Sequence, residues 1–277
     1  MSIRPCLIFL FLATASAATA QAPESSPIDS LLRAGHRSVL VRDGSDPRNL
    51  SGRFLLAQVY SVRNTARTST RALPNLAEAV SEYSAIDVQL APLLPLSSRK
   101  LQQAPWIFLH QSQRPYSDRE LKNLGRYLQG GGFVVADAGT TLGAEADISM
   151  RENISQALAH VGVQVHFKRL RRNHALYSAF FHFDAPPPIP LGAAGSGRNN
   201  IDYLIGVELA GRLVAVLSYQ NLAATWANQV NAYDNARHLQ FGVNLMVFGL
   251  TQQNSKTFFL QQPKADIAPT APSYGSD

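Results

Sequence analysis

Short apolar runs alternate with amphipathic stretches along the chain from about residue 54. The runs have the length of buried strands and span 54–60, 87–90, 106–110, 133–136, 163–167, 203–209 and 212–218. Helical spacing, with apolar residues three and four positions apart, fills several of the intervals, as in Leu76, Val80 and Tyr83. Strands that alternate with helices predict an α/β fold with a mainly parallel sheet and helices on both faces.

Two helix starts carry the capping-box pattern, in which a serine at the N-cap is followed three residues later by a glutamate. Ser117 with Glu120 predicts the start of one helix, and Ser149 with Glu152 predicts the start of another. Both patterns directly precede or overlap an apolar stripe, so each predicts a helix that packs one face on the sheet.

The first 20 residues have the pattern of a secretory signal peptide. Arg4 precedes the apolar run 6–13, and small residues lead up to Ala20. The run is shorter than the roughly 20 residues that a membrane-spanning helix needs. We therefore expect cleavage after Ala20 and a periplasmic or secreted protein with no transmembrane segment.

Composition divides the rest of the chain into three parts. Residues 21–51 are polar and contain Pro and Gly, which predicts an irregular lead-in. The strand and helix patterns occupy residues 52–252 and predict one α/β domain. Residues 253–277 are predicted to form a polar, disordered tail because they are rich in Pro and Gly near the end of the chain.

The chain has 277 residues, 25 basic and 19 acidic, and its single cysteine is Cys6. Removal of the signal peptide takes away Cys6 and Arg4, which leaves a formal charge of +5 and no thiol. A cysteine nucleophile, a disulfide and a cysteine-bound zinc are thereby excluded. The densest basic stretch, 168–172, is interpreted as a solvated strand end, and no nucleic-acid partner is expected.

Three polar residues end apolar strand runs, namely His110, Asp137 and Ser218. In open α/β sheets, ligands bind outside the carboxyl ends of the strands, near a switch in strand order. If these three strands are parallel neighbours, the three side chains line one edge of the sheet. They are therefore our first candidates for a ligand-binding site.

Six segments form a set of weak motifs in a fixed order: Phe54–Tyr60, Leu128–Asp137, Asn173–Phe181, Gly211–Val216, Asn221 and Leu222 with Trp226, and Gly242–Leu245. Over roughly residues 52–252 this set resembles the bacterial family called domain of unknown function 4159. The chain departs from the family pattern at Ala138, where many relatives carry a second acidic residue, and at Ala175, which replaces the usual proline.

The resemblance implies a flavodoxin-like fold similar to that of the class I glutamine amidotransferases. It adds His174, Asn221 and Trp226 to the candidate ligand-binding residues, on loops near the strand ends. It also implies an envelope protein as a partner class, because members of the family occur fused to von Willebrand-type and membrane-anchored modules. No cysteine is available at the strand-to-helix elbow where true glutamine amidotransferases carry their nucleophile.

Asp137 and His174 leave two interpretations each. Asp137 can serve as a general base, a metal ligand or a hydrogen-bond acceptor for a ligand, or it can cap the turn that follows it. His174 can transfer protons near neutral pH, or it can be a packed histidine that bonds its own loop.

Other polar and aromatic residues have a structural interpretation that is at least as good as the functional one. Trp226 and Tyr219 suit either an aromatic wall over a ligand or the core. Arg212 is expected to be exposed at a turn, and Asn244 is expected to brace the loop that contains Asn221.

The sequence points to no metal site and no cofactor. His182 and Asp184 lie two residues apart and share one face of a strand, but no third ligand stands at a clear spacing. No Gly-x-Ser-x-Gly elbow, phosphate loop or His-Glu-x-x-His motif occurs, which argues against a serine hydrolase.

Two functions follow as hypotheses. The first is an exported, non-catalytic binding or assembly module that recognises a small molecule or an envelope protein at the strand ends. The second is a hydrolase of a cell-envelope glycan or peptide, in which Asp137 and His174 act as an acid–base pair. The second needs the two side chains within reach of each other, directly or through one water.

Overall fold

The computed structural model of the protein describes residues 27–46, 48–63, 71–110, 114–188, 201–229 and 232–262. The predicted signal peptide, residues 1–20, lies outside the described residues, as does the part of the predicted tail from residue 263 onwards.

Six α-helices and eleven strands form the described part of the chain. The helices are α1 (Pro27–Arg33), α2 (Ala72–Tyr83), α3 (Asp118–Gln129), α4 (Glu145–Ala159), α5 (Leu222–Trp226) and α6 (Ala232–Thr251). The strands are β1 (Val39–Arg42), β2 (Leu50–Leu56), β3 (Val59–Tyr60), β4 (Ala85–Leu90), β5 (Leu94–Pro95), β6 (Trp106–His110), β7 (Phe133–Asp137), β8 (Phe167–Arg169), β9 (Ile205–Leu209), β10 (Arg212–Ser218) and β11 (Phe258–Gln261). Two short 3₁₀ helices span Arg99–Gln103 and Ala175–Ser178.

The predicted α/β class is confirmed, and the sheets are mixed. Strands β11-β1-β2-β4 form one sheet, β6-β7-β10-β9-β8 form a second, and β3 pairs with β5. Within the second sheet β6, β7 and β10 pair in parallel, whereas β9 is antiparallel both to β10 and to the outer strand β8. The three strands β6, β7 and β10 therefore lie side by side at one end of this sheet, and they carry the candidate residues His110, Asp137 and Ser218.

Two apolar cores lie on the two faces of the second sheet, because successive residues of a strand point to opposite faces. Phe108 and Val135 belong to the core that includes residues of α2, α5 and α6. Their neighbours Ile107 and Val134 belong to the core that includes residues of α3 and α4. The parallel strands are buried on both faces, which explains why they read as unbroken apolar runs.

Regular secondary structure is found where the sequence predicted an irregular lead-in and the start of a disordered tail. Helix α1, strand β1 and the first residues of β2 lie within residues 21–51, and β11 lies after residue 252. Strand β1 pairs in parallel with β11, with Val39 opposite Phe258. The prediction failed because these short strands become buried only when distant parts of the chain pair.

The first capping box is present, and the second is not where the sequence placed it. The backbone N–H of Ser117 donates to Glu120 Oε2 at 2.8 Å. Helix α4 begins at Glu145, so Ser149 lies inside the helix rather than at its start. The Asp147 carboxylate accepts the Gly143 N–H at 2.8 Å instead.

The predicted strand 163–167 is also shorter than expected. Strand β8 begins only at Phe167, which is the register partner of Val207 on β9. Since β8 pairs with β9 alone, only the residues opposite β9 form the ladder.

Candidate functional site

His110, Asp137 and Ser218 form a row across the ends of β6, β7 and β10. Asp137 is the register partner of His110 on one side and of Ser218 on the other, and both pairings are parallel. Register partners share a face of the sheet. The predicted alignment of these three residues along one edge is thus confirmed; we call it the strand-end row.

Asp137 is the buried centre of the row and has no exposed surface. Its Oδ2 accepts the N–H of Ala223 at the start of α5, at 3.1 Å, and its Oδ1 accepts the N–H of Gly139 at 3.3 Å. The same Oδ2 lies 3.4 Å from His110 Nδ1. The carboxylate therefore caps the following turn and helix α5, and it reaches no solvent.

His110 is the member of the row that solvent reaches, with 16% of its side chain exposed. The 3.4 Å separation from the Asp137 carboxylate is long for a hydrogen bond, so the contact is mainly electrostatic. A carboxylate on the Nδ1 side of an imidazole favours the form that carries a proton there. The Nε2 atom is then the ring nitrogen suited to contact a ligand.

Ser218 is fully buried and bonds within its own turn. Its hydroxyl donates to Gln220 Oε1 at 2.6 Å, and the Gln220 amide donates to the carbonyl of Ile201 at 2.6 Å. The serine lies on the side of Asp137 away from His110, since β7 stands between β6 and β10. Within the described ranges its hydroxyl bonds Gln220 and no histidine, which does not match the Ser-His-Asp arrangement of a nucleophile.

Asn221 precedes α5 and Trp226 is its last residue, and the two side chains have different surroundings. Asn221 is half-buried and adopts the left-handed conformation, with φ 51° and ψ 51°, directly before the helix. Trp226 has no exposed surface, and its indole N–H donates to the carbonyl of His238 at 3.0 Å. The structure corrects the expectation that Trp226 lines the ligand site: it is a core residue that packs on Phe108.

The profile of the family described as Domain of unknown function (DUF4159) matches residues 56–250. The chain belongs to the DUF4159 family. No curated protein matches the chain.

His174, in the motif that resembles the family's histidine segment, lies away from the strand-end row of this DUF4159 protein. Its ring contacts Phe248 at 5.3 Å, and Phe248 contacts Phe133 at 6.0 Å. Phe133 begins β7 and Asp137 ends it, which separates them by roughly 13 Å at 3.3 Å per residue. Over the described residues no ion pair or hydrogen bond joins Asp137 to His174, and the ring contacts of His174 lead to the start of β7 rather than to its end.

The His174 side chain instead caps the 3₁₀ helix that follows it. Its Nδ1 accepts the N–H of Leu176 at 3.2 Å. Burial lowers the pKa of His174, and Glu208 partly opposes that effect. A neutral imidazole is the form that can accept this hydrogen bond, so the interpretation of a packed histidine is the better one.

Asn244 braces a different loop from the one predicted. It is fully buried on α6, and its Oδ1 accepts the N–H groups of Phe180 and Phe181 at 3.2 and 2.7 Å. Its amide donates to the carbonyls of Leu176 and Phe181 at 3.2 and 2.8 Å. The bonds hold the segment after His174 rather than the loop of Asn221.

Arg212 is half-buried, contrary to the expectation of an exposed turn residue. Its guanidinium donates to the carbonyls of Leu128 and Gly132 at 2.7 and 3.1 Å. Arg212 therefore satisfies carbonyls at the C-terminal end of α3, where a cation also complements the helix dipole. Burial lowers its pKa.

Tyr219, like Trp226, is a buried residue rather than part of an aromatic wall. Its hydroxyl donates to Asp147 Oδ1 at 2.8 Å and accepts from the Arg151 guanidinium at 2.6 Å. Burial raises the pKa of Tyr219, and the hydrogen bond with the Asp147 carboxylate raises it further. The network joins the end of β10 to the first turns of α4.

Buried polar side chains hold the loops around the strand-end row, and most of them were missed from the sequence. Glu120, which has no exposed surface, accepts the N–H of Val62 at 3.0 Å and so ties the loop after β3 to α3. Asn153 on α4 accepts the N–H of Tyr116 at 2.8 Å in the segment that leads into α3. Only Glu120 carried a sequence signal, its capping box.

Three basic residues of the stretch 168–172 pair with acidic side chains, and all four basic residues are exposed, as expected of a solvated strand end. Arg169 and Arg172 both contact Asp202, at 3.2 Å for Arg169, and Lys168 lies 3.8 Å from Glu208. All of these side chains are largely exposed.

Among the described residues, no group of three or more His, Cys, Asp and Glu side chains is arranged to hold a metal ion. His182 and Asp184 contact each other at 3.4 Å, and both side chains are more than four-fifths exposed. Within the same described ranges, no helix combines the length and the apolar character needed to cross a membrane.

Proposed function

We propose that this DUF4159 protein is an exported, non-catalytic binding module whose ligand contacts His110 at the strand-end row. The observation that carries the proposal is the difference in exposure between Asp137 and His110 in the row. The Asp137 carboxylate is buried and engaged by protein groups, whereas the imidazole beside it is partly exposed. In this proposal Asp137 orients the His110 imidazole, and His110 contacts the ligand.

The position of His110 fits a flavodoxin-like sheet, which we propose as the finer description of the fold. Ala57, directly after β2, forms a parallel bridge with Ile107 of β6. If this bridge joins the small sheet to the large one, the parallel strands run in the order β5-β3-β6-β7-β10. Strand order then reverses between β3 and β6, and a crevice at such a switch point is where ligands bind.

Two described segments that border this crevice, at Val62 and at Ser117, are bonded to α3. Glu120 bonds both the loop after β3, through Val62, and the segment at Ser117 that enters α3. Fixed loops lower the ordering cost of binding. They support a preformed binding site on a rigid scaffold.

The best-known reaction of the amidotransferase-like scaffold is not proposed for this chain. That reaction needs a cysteine nucleophile, and Cys6, inside the predicted signal peptide, is the single cysteine of the sequence. The hydrolase that would use Asp137 with His174 is not favoured either. The ring contacts of His174 connect it to the start of β7, at the opposite end from Asp137.

A periplasmic or secreted location completes the proposal, with an envelope protein or a small molecule as the partner. It is tested by expressing the full chain in a bacterium and sequencing the N-terminus of the fractionated protein. Export predicts a protein outside the cytoplasm that begins at Gln21. A cytoplasmic protein that retains residues 1–20 would contradict it.

Binding at the row is tested by NMR titration of the full chain with N-acetylglucosamine, D-alanyl-D-alanine and inorganic phosphate. We expect saturable shifts near His110 from at least one probe, lost in His110→Ala and kept in His182→Ala, a control with an exposed imidazole. Shifts centred elsewhere, or none with any probe, would refute the site. Hydrolysis of a probe that disappears in Asp137→Asn would refute the non-catalytic function.

A further inference from the structure

A concave site lies between α2 and α6, and none of its lining residues belongs to the strand-end row. It is a groove of roughly 370 Å³, at the small end of the range for ligand pockets. Its lining residues are Ala79, Glu82, Tyr83, Asn228, Asn235, Ala236 and Leu239. The lining thus combines the aliphatic side chains of Ala79, Ala236 and Leu239 with one carboxylate, two side-chain amides and one aromatic ring.

Glu82 gives the groove an uncompensated negative charge. Over the ranges of the chain that the structure describes, its carboxylate forms no ion pair or hydrogen bond. Glu82 lies in the last turn of α2, where free backbone carbonyls carry partial negative charge, and that turn contains no basic residue. Helix and side chain therefore add their negative potentials, although the chain as a whole is basic.

Glu78 stands one turn earlier on α2 and is exposed. Two like charges four residues apart on a helix repel each other and destabilise it slightly. Neither glutamate has a cationic partner in the described part of the protein. The arrangement costs stability within the chain, and a cation supplied from outside would relieve it.

Tyr83 adds a surface that suits a cation. The residue is 36% exposed, and its ring meets Phe181 edge-on at a centroid distance of 5.0 Å, which holds its orientation. The face of a tyrosine ring attracts ammonium groups. Ala79, Ala236 and Leu239 offer apolar contact to an aliphatic chain.

We infer that this groove binds a primary ammonium group on a short aliphatic stem, as in a lysine side chain. The stem packs on the alanines and Leu239, and the ammonium lies between the Glu82 carboxylate and the Tyr83 ring. An anionic ligand is disfavoured by Glu82 and by the C-terminal end of α2. The inference is independent of the ligand proposed for His110.

The test is an NMR titration of the full chain with Nα-acetyl-lysine N-methylamide and with its neutral analogue Nα-acetyl-norleucine N-methylamide. The lysine probe should shift the amides of Ala79, Tyr83 and Leu239 and bind about tenfold more tightly than the norleucine probe. A titration with butylammonium, compared with the lysine probe, distinguishes a lysine side chain from a free amine as the source of the ammonium group. Tighter binding of the lysine probe indicates a side chain presented by a polypeptide, and equal binding indicates a free amine.

Glu82→Gln should weaken the lysine probe about tenfold, while Glu78→Gln, on the same helix but outside the groove, should leave it within about twofold. Both residues are exposed, so neither change should disturb folding. Equal binding of the lysine and norleucine probes would overturn the inference. So would unchanged lysine binding in Glu82→Gln, or an equal loss in the two variants.

Discussion

His110 and Asp137 are register partners on neighbouring parallel strands, and His110 Nδ1 lies 3.4 Å from Asp137 Oδ2. The carboxylate is buried and also accepts the N–H of Ala223, so it links the end of β6 to the start of α5. One side chain thus lies against an imidazole at the sheet edge and bonds the first turn of a helix. Its removal should affect stability as well as binding.

Asp137→Asn should lower the free energy of unfolding by about 1–3 kcal/mol. The amide keeps the shape, but its NH₂ group must face either Gly139 N–H or the Ala223 N–H and His110, and a buried donor is left without its acceptor. Urea denaturation measures the change. Asp184→Asn, at an exposed carboxylate, should have little effect, and equal effects of the two substitutions would contradict the role given to Asp137.

Arg212→Ala should destabilise the protein by about 1–3 kcal/mol because the carbonyls of Leu128 and Gly132 lose a charged donor. Arg212→Lys should recover only part of the loss, since an ammonium cannot reproduce the planar fork that reaches both carbonyls. Thermal and urea unfolding compare the three proteins. Full rescue by lysine would indicate that charge alone matters there.

Gly125→Ala should destabilise the protein although alanine favours helices over glycine by about 0.5–1 kcal/mol. A Cβ at residue 125 would stand 2.0 Å from the carbonyl oxygen of Ala157, so α3 and α4 would have to move apart. Overpacking of this kind costs about 1–3 kcal/mol. Gln129→Ala, at an exposed position of the same helix, is the matched control in a urea titration, and a stabilising Gly125→Ala would refute the close approach.

His174 should make the protein less stable in mild acid. Its pKa is lowered in the fold because the ring is partly buried, so the unfolded chain binds the proton first. The free energy of unfolding therefore falls as pH drops below about 6.5 and towards the lower pKa of the folded state. Above that range the histidine is neutral in both states and adds no pH dependence.

His174→Asn tests that dependence because asparagine can still cap the 3₁₀ helix but does not titrate. Urea denaturation at a series of pH values should give a shallower loss of stability for the variant below about pH 6.5. Parallel stability curves for the two proteins would show that His174 does not contribute to the acid sensitivity.

Local signals in the sequence predicted local structure well. Ser117 and Glu120 mark the start of α3, because a capping box depends only on residues within one turn. The same pattern at Ser149 failed, since the Asp147 carboxylate accepts the Gly143 N–H and the helix starts earlier. Asp147 and Ser149 are both able to cap a helix start, and which of them does so depends on the conformation of the preceding loop, which the sequence pattern does not give.

Contacts between residues far apart in sequence explain the other differences between the predicted and the observed structure. Val39 and Phe258 pair across more than 200 residues, so neither end of the chain carried a visible strand signal. Trp226 belongs to the core because α5 folds onto Phe108 of β6. The ring contacts of His174 lead to the start of β7, whereas Asp137 ends that strand, and no spacing in the sequence encodes this placement.

The sequence by itself determined the α/β class, the family and the three polar residues that end strands, because apolar periodicity and strand-terminal residues are written in the order of side chains. Only the tertiary structure decided which of those residues a ligand can reach. Burial and register depend on neighbouring strands and helices, and they enclose Asp137 and Ser218 while leaving the His110 imidazole partly exposed.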